Sequence, residues 1–186
     1  VMDLEKAVVI RVTNKPNATG SGVVTLSHAA GNNDKDAECG GFKFADIAFT
    51  DPARVAGFSS KIFYVAETGR TGTAGQAIRA LFVRDVSRIP AQTMEVVEGV
   101  ESMRTRYGVA AASSVGVQDY LTPAEVEAAN RWGDVRTVKV DLLMVSDGRA
   151  PGAQEQAIEF DGMAVVADGR MRQVFSTVVA LRNRID

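Results

Sequence analysis

Apolar and polar positions alternate along much of this chain, and a period of two is the signature of strand rather than helix. At residues 8–13, Val8, Ile10 and Val12 interleave with Val9, Arg11 and Thr13. A Gly-Ser-Gly turn then leads into Val23-Val24-Thr25-Leu26. Residues 61–66 (Lys-Ile-Phe-Tyr-Val-Ala) are apolar on both sides, as in a central strand, and 78–83 form a further short run. The clearest alternation spans 135–146. There Val138, Val140, Leu142 and Met144 continue a row begun by Arg136, while Thr137, Lys139 and Asp141 lie opposite. Near the C-terminus, Phe175, Thr177, Val179 and Leu181 share one side, and Val174, Ser176 and Val178 the other.

Between 94 and 109 the phase breaks. Met103, Thr105 and Tyr107 alternate with Arg104 and Arg106, which suits a strand with one wet face. Upstream, Val97 and Val100 fall out of step around Gly99, and a glycine within a strand pattern marks a bulge or bend. The expectation is two strand segments joined at Gly99. One helix is signalled by Thr122-Pro123-Ala124-Glu125, a capping box with proline at the first helical position. It is expected to run to about Arg131 and to stop near Gly133. Asp51-Pro52-Ala53-Arg54-Val55 is a second, single-turn candidate, and loops are expected at 31–41, 68–75 and 147–154. The pattern predicts a single β-rich α+β domain over residues 1–186, with mainly antiparallel sheets and one or two short helices.

Composition narrows the function classes. The 186 residues are 46% hydrophobic and 24% charged, which excludes full disorder. Lys plus Arg is 21 against 23 Asp plus Glu, so the basic face of a nucleic-acid binder is not expected. No run of 18 apolar residues is present to span a membrane. One cysteine, Cys39, and one histidine, His28, leave no internal disulfide, no structural zinc site and few nucleophile arrangements. His28 reads as a loop or strand-end residue. Cys39 reads as an incidental thiol or as one with a partner outside this chain.

The remaining motifs each favour a structural reading. Asn32-Asn33-Asp34-Lys35-Asp36-Ala37-Glu38 spaces oxygen donors as calcium loops do, but it has Ala37 where the turn needs glycine and Lys43 where the closing ligand belongs. Gly69-Arg70-Thr71-Gly72-Thr73-Ala74-Gly75 lacks the Gly-Lys-Ser/Thr ending of a phosphate cradle and reads as a hairpin loop. Glu95, Glu98 and Glu101 have no support as an acid–base pair, since strand spacing puts Glu98 and Glu101 on opposite faces. Asn17-Ala18-Thr19 matches the short glycosylation sequon. Trp132 follows the capped helix and is expected to pack it onto the sheet. No catalytic, cofactor-binding or metal-binding residue is assigned, and no enzymatic activity is expected.

Four segments, in order, resemble the PilW family of type IV pilus minor pilins. They are Val97-Glu98-Gly99-Val100-Glu101-Ser102-Met103-Arg104-Thr105-Arg106-Tyr107-Gly108-Val109, then Gln118-Asp119-Tyr120-Leu121. Next come Trp132-Gly133-Asp134-Val135-Arg136-Thr137-Val138-Lys139-Val140-Asp141-Leu142-Leu143 and the closing Val174-Phe175-Ser176-Thr177-Val178-Val179-Ala180-Leu181-Arg182-Asn183-Arg184. The resemblance implies a pilin-like headgroup, similar to pseudopilin J of type II secretion, without the N-terminal transmembrane helix of family members. It implies a non-enzymatic minor pilin in the tip complex that primes pilus assembly, serving twitching motility and cell adhesion. Its partners would be other minor pilins, the major pilin and a pilus tip adhesin, with membrane contact only through that missing helix. The setting would be the inner membrane and periplasm, and the pilus tip at the surface of a Gram-negative bacterium. The alternative is a secreted or periplasmic adhesin-like or carbohydrate-binding β module. Sheet edges near 8–13 and 174–181 are the expected contact points.

Overall fold

The computed structural model describes residues 1–3, 5–15, 24–33, 46–50, 52–111, 116–152 and 157–182. They fall into two compact units, Val1–Ser59 and Ser60–Asp186.

In the first unit a single helical turn, α1 (Ala30–Asn33), is joined by isolated bridges from Met2 to Ala7 and Arg54. The strand expected at 8–13 does not form. Its backbone is engaged by side chains instead: the Asn33 amide accepts from the Arg11 N–H at 2.6 Å and donates to the Arg11 carbonyl at 3.0 Å. The Asn14 side chain likewise accepts from the Ser27 N–H and donates to the Thr25 carbonyl, so 24–26 is no strand either. Side-chain hydrogen bonds from elsewhere in the chain thus stand where a partner strand would. The single-turn helix expected near Pro52 is absent as well; Arg54 pairs with Met2 through both of its backbone groups. The Asp3 carboxylate ties Thr50 to the chain start, and these hydrogen bonds hold its pKa down to about 2.

The second unit is built of strand. β1 (Lys61–Thr71), β2 (Ala77–Asp85) and β3 (Gln92–Glu98) form an antiparallel sheet in that order. A second antiparallel sheet contains β4 (Val100–Ala110), β5 (Val117–Leu121), β6 (Val135–Arg149) and β9 (Arg170–Ala180), ordered β5-β4-β6-β9. Between β6 and β9 lies a small hairpin, β7 (Glu159–Phe160) and β8 (Met163–Ala164). Strand far exceeds helix, and every sheet pairing is antiparallel, as the alternation predicts.

Gly99 is where the chain leaves one sheet for the other. Its φ is +79°, a region that only glycine enters at little cost. Its N–H donates to the Arg79 carbonyl in the first sheet, and its own carbonyl accepts from the Val145 N–H in the second.

The capping box at Thr122 is present in both directions and opens α2 (Pro123–Ala128). The helix stops earlier than Gly133 would suggest. Asn130, at φ +51°, takes the left-handed position; its N–H bonds to the Glu127 carbonyl, and the Arg131 N–H reaches the Val126 carbonyl. These two bonds make a Schellman motif, whose left-handed position is usually glycine and sometimes, as here, asparagine. Val126 on α2 packs with Val109 and Val135, flanked by Tyr107, Leu121 and Leu181. Thr122→Ala is expected to lower stability by about 1 kcal/mol, because it leaves the Glu125 N–H without its acceptor. Urea denaturation followed by circular dichroism reads this directly.

Candidate interaction surface

The register of the second sheet sorts its side chains into two rows. Arg104 on β4, Asp141 on β6 and Ser176 on β9 lie directly across from one another. On the opposite face the same register aligns Met103, Leu142 and Phe175, and then Tyr107, Val138 and Val179.

The polar row is buried at its centre. Asp141 is only 1% exposed, the most buried ionisable side chain among the described residues. Arg104 donates to it twice, at 2.6 and 3.0 Å, Ser176 donates at 2.5 Å, and Lys139 stands at 3.6 Å. Burial alone would push this carboxyl up, but the Ser176 hydroxyl, Arg104 and Lys139 outweigh burial and hold it below the ordinary aspartate range. The β7–β8 hairpin closes over this row. Asp161 and Gly162, both at positive φ, form its turn. Asp161 reaches Arg106 at 3.0 Å and Arg104 at 3.5 Å, while the buried Phe160 ring lies 5.2 Å from the Arg104 guanidinium.

A second charged cluster sits at the start of β9. Arg172 is buried and grips Glu101 at 2.6 and 3.0 Å and Asp168 at 2.7 and 3.1 Å. These bonds raise the guanidinium further, and they hold Asp168 well below the usual range.

The apolar row is the more open one. α2 covers only its end near Tyr107. Phe175 is 53% exposed and Val179 52%, while Met103, Val140, Leu142 and Met144 are half-buried. The first sheet has a comparable face, with Phe63 and Met94 exposed beside Val65, Val83 and Val97. Exposed apolar area of this kind makes both faces candidate interaction surfaces.

The single-residue candidates resolve simply. Glu95 and Glu98 share Arg70, at 2.5 and 2.6 Å, while Glu101 belongs to the Arg172 cluster, so the three divide between two ion-pair clusters. Residues 69–71 continue β1, and the turn closes between Gly72 and Gln76. Trp132 stacks edge-on against Tyr107 at 5.1 Å and donates its indole N–H to Glu127, which fastens α2 to the sheet as expected. His28 is exposed just before α1. Cys39, the sequon at Asn17 and most of the Asn32–Glu38 stretch lie outside the described residues.

A cleft of about 200 Å³ opens where the two sheets meet, lined in part by Gln76, Arg79, Glu98, Asp147 and Arg170. Its polar groups already serve the fold: Arg79 donates to the Glu101 carbonyl, Gln76 to Asp147 and Arg170 to Asp168. Among the described residues no group of three His, Cys, Asp or Glu side chains is placed to hold a metal ion, and no helix is long and apolar enough to cross a membrane.

Sequence reasoning missed the β7–β8 hairpin, although Asp161-Gly162 is the standard signal for such a turn. It also missed the Arg104–Asp141 pair, whose partners stand 37 residues apart.

The family model for type IV pilus-assembly protein W covers residues 62–183, from β1 to just past β9. Neither the curated proteins nor the solved structures gave a significant match.

Proposed function

The chain belongs to the PilW family of type IV pilus-assembly proteins, and from that premise we propose that it is a minor pilin headgroup of the complex that primes pilus assembly and caps the pilus tip. The observation that carries this reading is the open apolar row of β4, β6 and β9. A sheet whose buried side is charged and whose apolar side is open is arranged to be covered by protein.

In this reading residues 1–186 act as one headgroup on the periplasmic side of the inner membrane. Its partners are other minor pilins, the major pilin and a tip adhesin, and its task is structural rather than catalytic. Headgroup contacts are expected to be weak singly, because tethering in a membrane raises the effective concentration of the partners. The test is co-purification of this chain with the other minor pilin headgroups, singly and mixed. A complex that forms only when several are present is the expected result. Failure to associate with any of them at high micromolar concentration overturns the reading.

A further inference from the structure

Apolar and cationic side chains gather at the end of the first sheet where β1 begins and β2 turns into β3. We infer that this corner docks on an anionic lipid surface, the turn entering the headgroup layer and the flanking cations meeting the phosphates.

Strand register brings these residues together. Phe63 on β1, Val83 on β2 and Met94 on β3 stand in one row, with Phe63 51% and Met94 64% exposed. Ile62 points to the other face, as a strand neighbour must, and is also exposed. Beyond them the Val86 N–H bonds to the Ser60 carbonyl, and the turn that follows carries Ile89 at 69% exposure. Three cations and one carboxylate share this end: Lys61, Arg84 and Arg88 against Asp85, a local excess of +2 in a chain whose net charge is −2. Asp85 is engaged by Ser87 at 2.5 Å and by Arg88 at 3.0 Å, whereas among the described residues neither Lys61 nor Arg84 forms an ion pair. The opposite end of the same sheet carries Glu67, Arg70, Arg79 and Glu98, two of each sign.

The geometry favours lipid over a protein partner. Ile62 and Phe63 point to opposite faces, so a partner laid against one face leaves the other wet, while a fluid interface closes around both. The charge excess selects an anionic surface, and long cationic side chains can lay their stems on apolar neighbours while their heads reach phosphate. The turn also carries little unsatisfied backbone into the headgroups: Asp85 accepts from the Ser87 N–H, and Pro90 has no N–H.

The full 186-residue chain should co-sediment at low salt with vesicles of phosphatidylcholine and phosphatidylglycerol in equal parts. It should bind pure phosphatidylcholine far less, and high salt should release it. Arg84→Gln and Ile89→Ser should each weaken binding about fivefold. Val166→Ser, at an 81% exposed position away from this corner, is the control and should change nothing. Circular dichroism checks that these exposed substitutions leave the fold intact. A second readout is local. With Cys39→Ser as background, an environment-sensitive fluorophore on Ile89→Cys should shift to the blue when anionic vesicles are added, and the same dye on Val166→Cys should not. No vesicle binding, binding indifferent to Ile89→Ser, or an unshifted dye at position 89 would overturn the inference. So would association with another headgroup that Ile89→Ser abolishes while vesicles go unbound, which would assign the corner to protein. The inference does not rest on the pilus reading; it adds a lipid contact to the one that the family resemblance gives to a transmembrane helix alone, and a chain that ignores vesicles leaves the mixed-headgroup experiment untouched.

Discussion

Arg104→Ala should cost about 3 kcal/mol of stability at neutral pH, the largest loss expected from a single truncation in the second sheet. The reason lies in what is left behind. Asp141 is 1% exposed, and without Arg104 it keeps only Ser176 at 2.5 Å and Lys139 at 3.6 Å. A buried carboxylate stripped of its main counter-charge costs more than the pair contributes when intact. The loss should depend on pH, and its sign is fixed. In the intact chain the Asp141 carboxyl is held below its ordinary value of 3.8, so its stabilising share is present above that pH and fades as pH falls through the folded-state value. In the variant burial is less opposed, and the carboxyl rises. The gap between the two proteins should therefore be widest near neutrality and should close once the pH is low enough to protonate Asp141 in both. Chemical denaturation at several pH values reads this gap. Arg104→Met combined with Asp141→Leu should recover most of the loss, because it removes both charges at once. A pH-independent gap, or a double variant worse than the single, would count against this account.

Gly99→Ala should cost about 2 kcal/mol, from one methyl group on the surface of a strand junction. At φ +79° an L-residue meets its own carbonyl at roughly 1–2 kcal/mol. The added Cβ would also stand 3.0 Å from the Val145 carbonyl oxygen, a backbone atom that cannot turn aside. Gly133→Ala is the matched control: its φ is ordinary and nothing lies within 4 Å of the new atom, so a change within about 0.5 kcal/mol is expected. Hydrogen exchange offers a local readout, since the Val145 N–H is bonded to Gly99 and should lose protection in the Gly99 variant alone. Equal effects from the two substitutions would show that the junction does not need its left-handed corner.

Gly99 also illustrates what the sequence makes legible. A break in alternation around a glycine is visible in one dimension, and the chain bends there. The long strand β6 and the capping box at Thr122 are legible for the same reason: each rests on contacts within a few residues, or on a period sustained over many. Residues 8–13 show the limit. Their alternation is real, yet Asn33, 22 residues away, satisfies Arg11 from its side chain, and no partner strand is recruited. β5, with Val117-Gln118-Asp119-Tyr120-Leu121, is too short and mixed to declare itself apart from β4. The premature end of α2 depends on asparagine taking a glycine's role at position 130.

The surface was half legible. Alternation separates the two rows of the second sheet correctly, but it cannot say which one water touches. By composition the row with Arg104, Lys139 and Asp141 should face solvent, and the row with Leu142 and Phe175 should be core. The structure instead buries Asp141 on β6 and leaves Phe175 exposed, because the charges neutralise one another and the β7–β8 hairpin covers them. That pairing is set by strand register between distant residues, and a single sequence does not encode it in any local pattern.

The lone indole of the chain gives the molecule a built-in optical gauge. Trp132 lies edge-on to Tyr107 on β4 and is tied by its N–H to Glu127 on α2, so it spans the joint between helix and sheet. No other tryptophan contributes to its emission. A red shift on excitation of this one fluorophore therefore reports the unseating of α2, whichever residue elsewhere was changed.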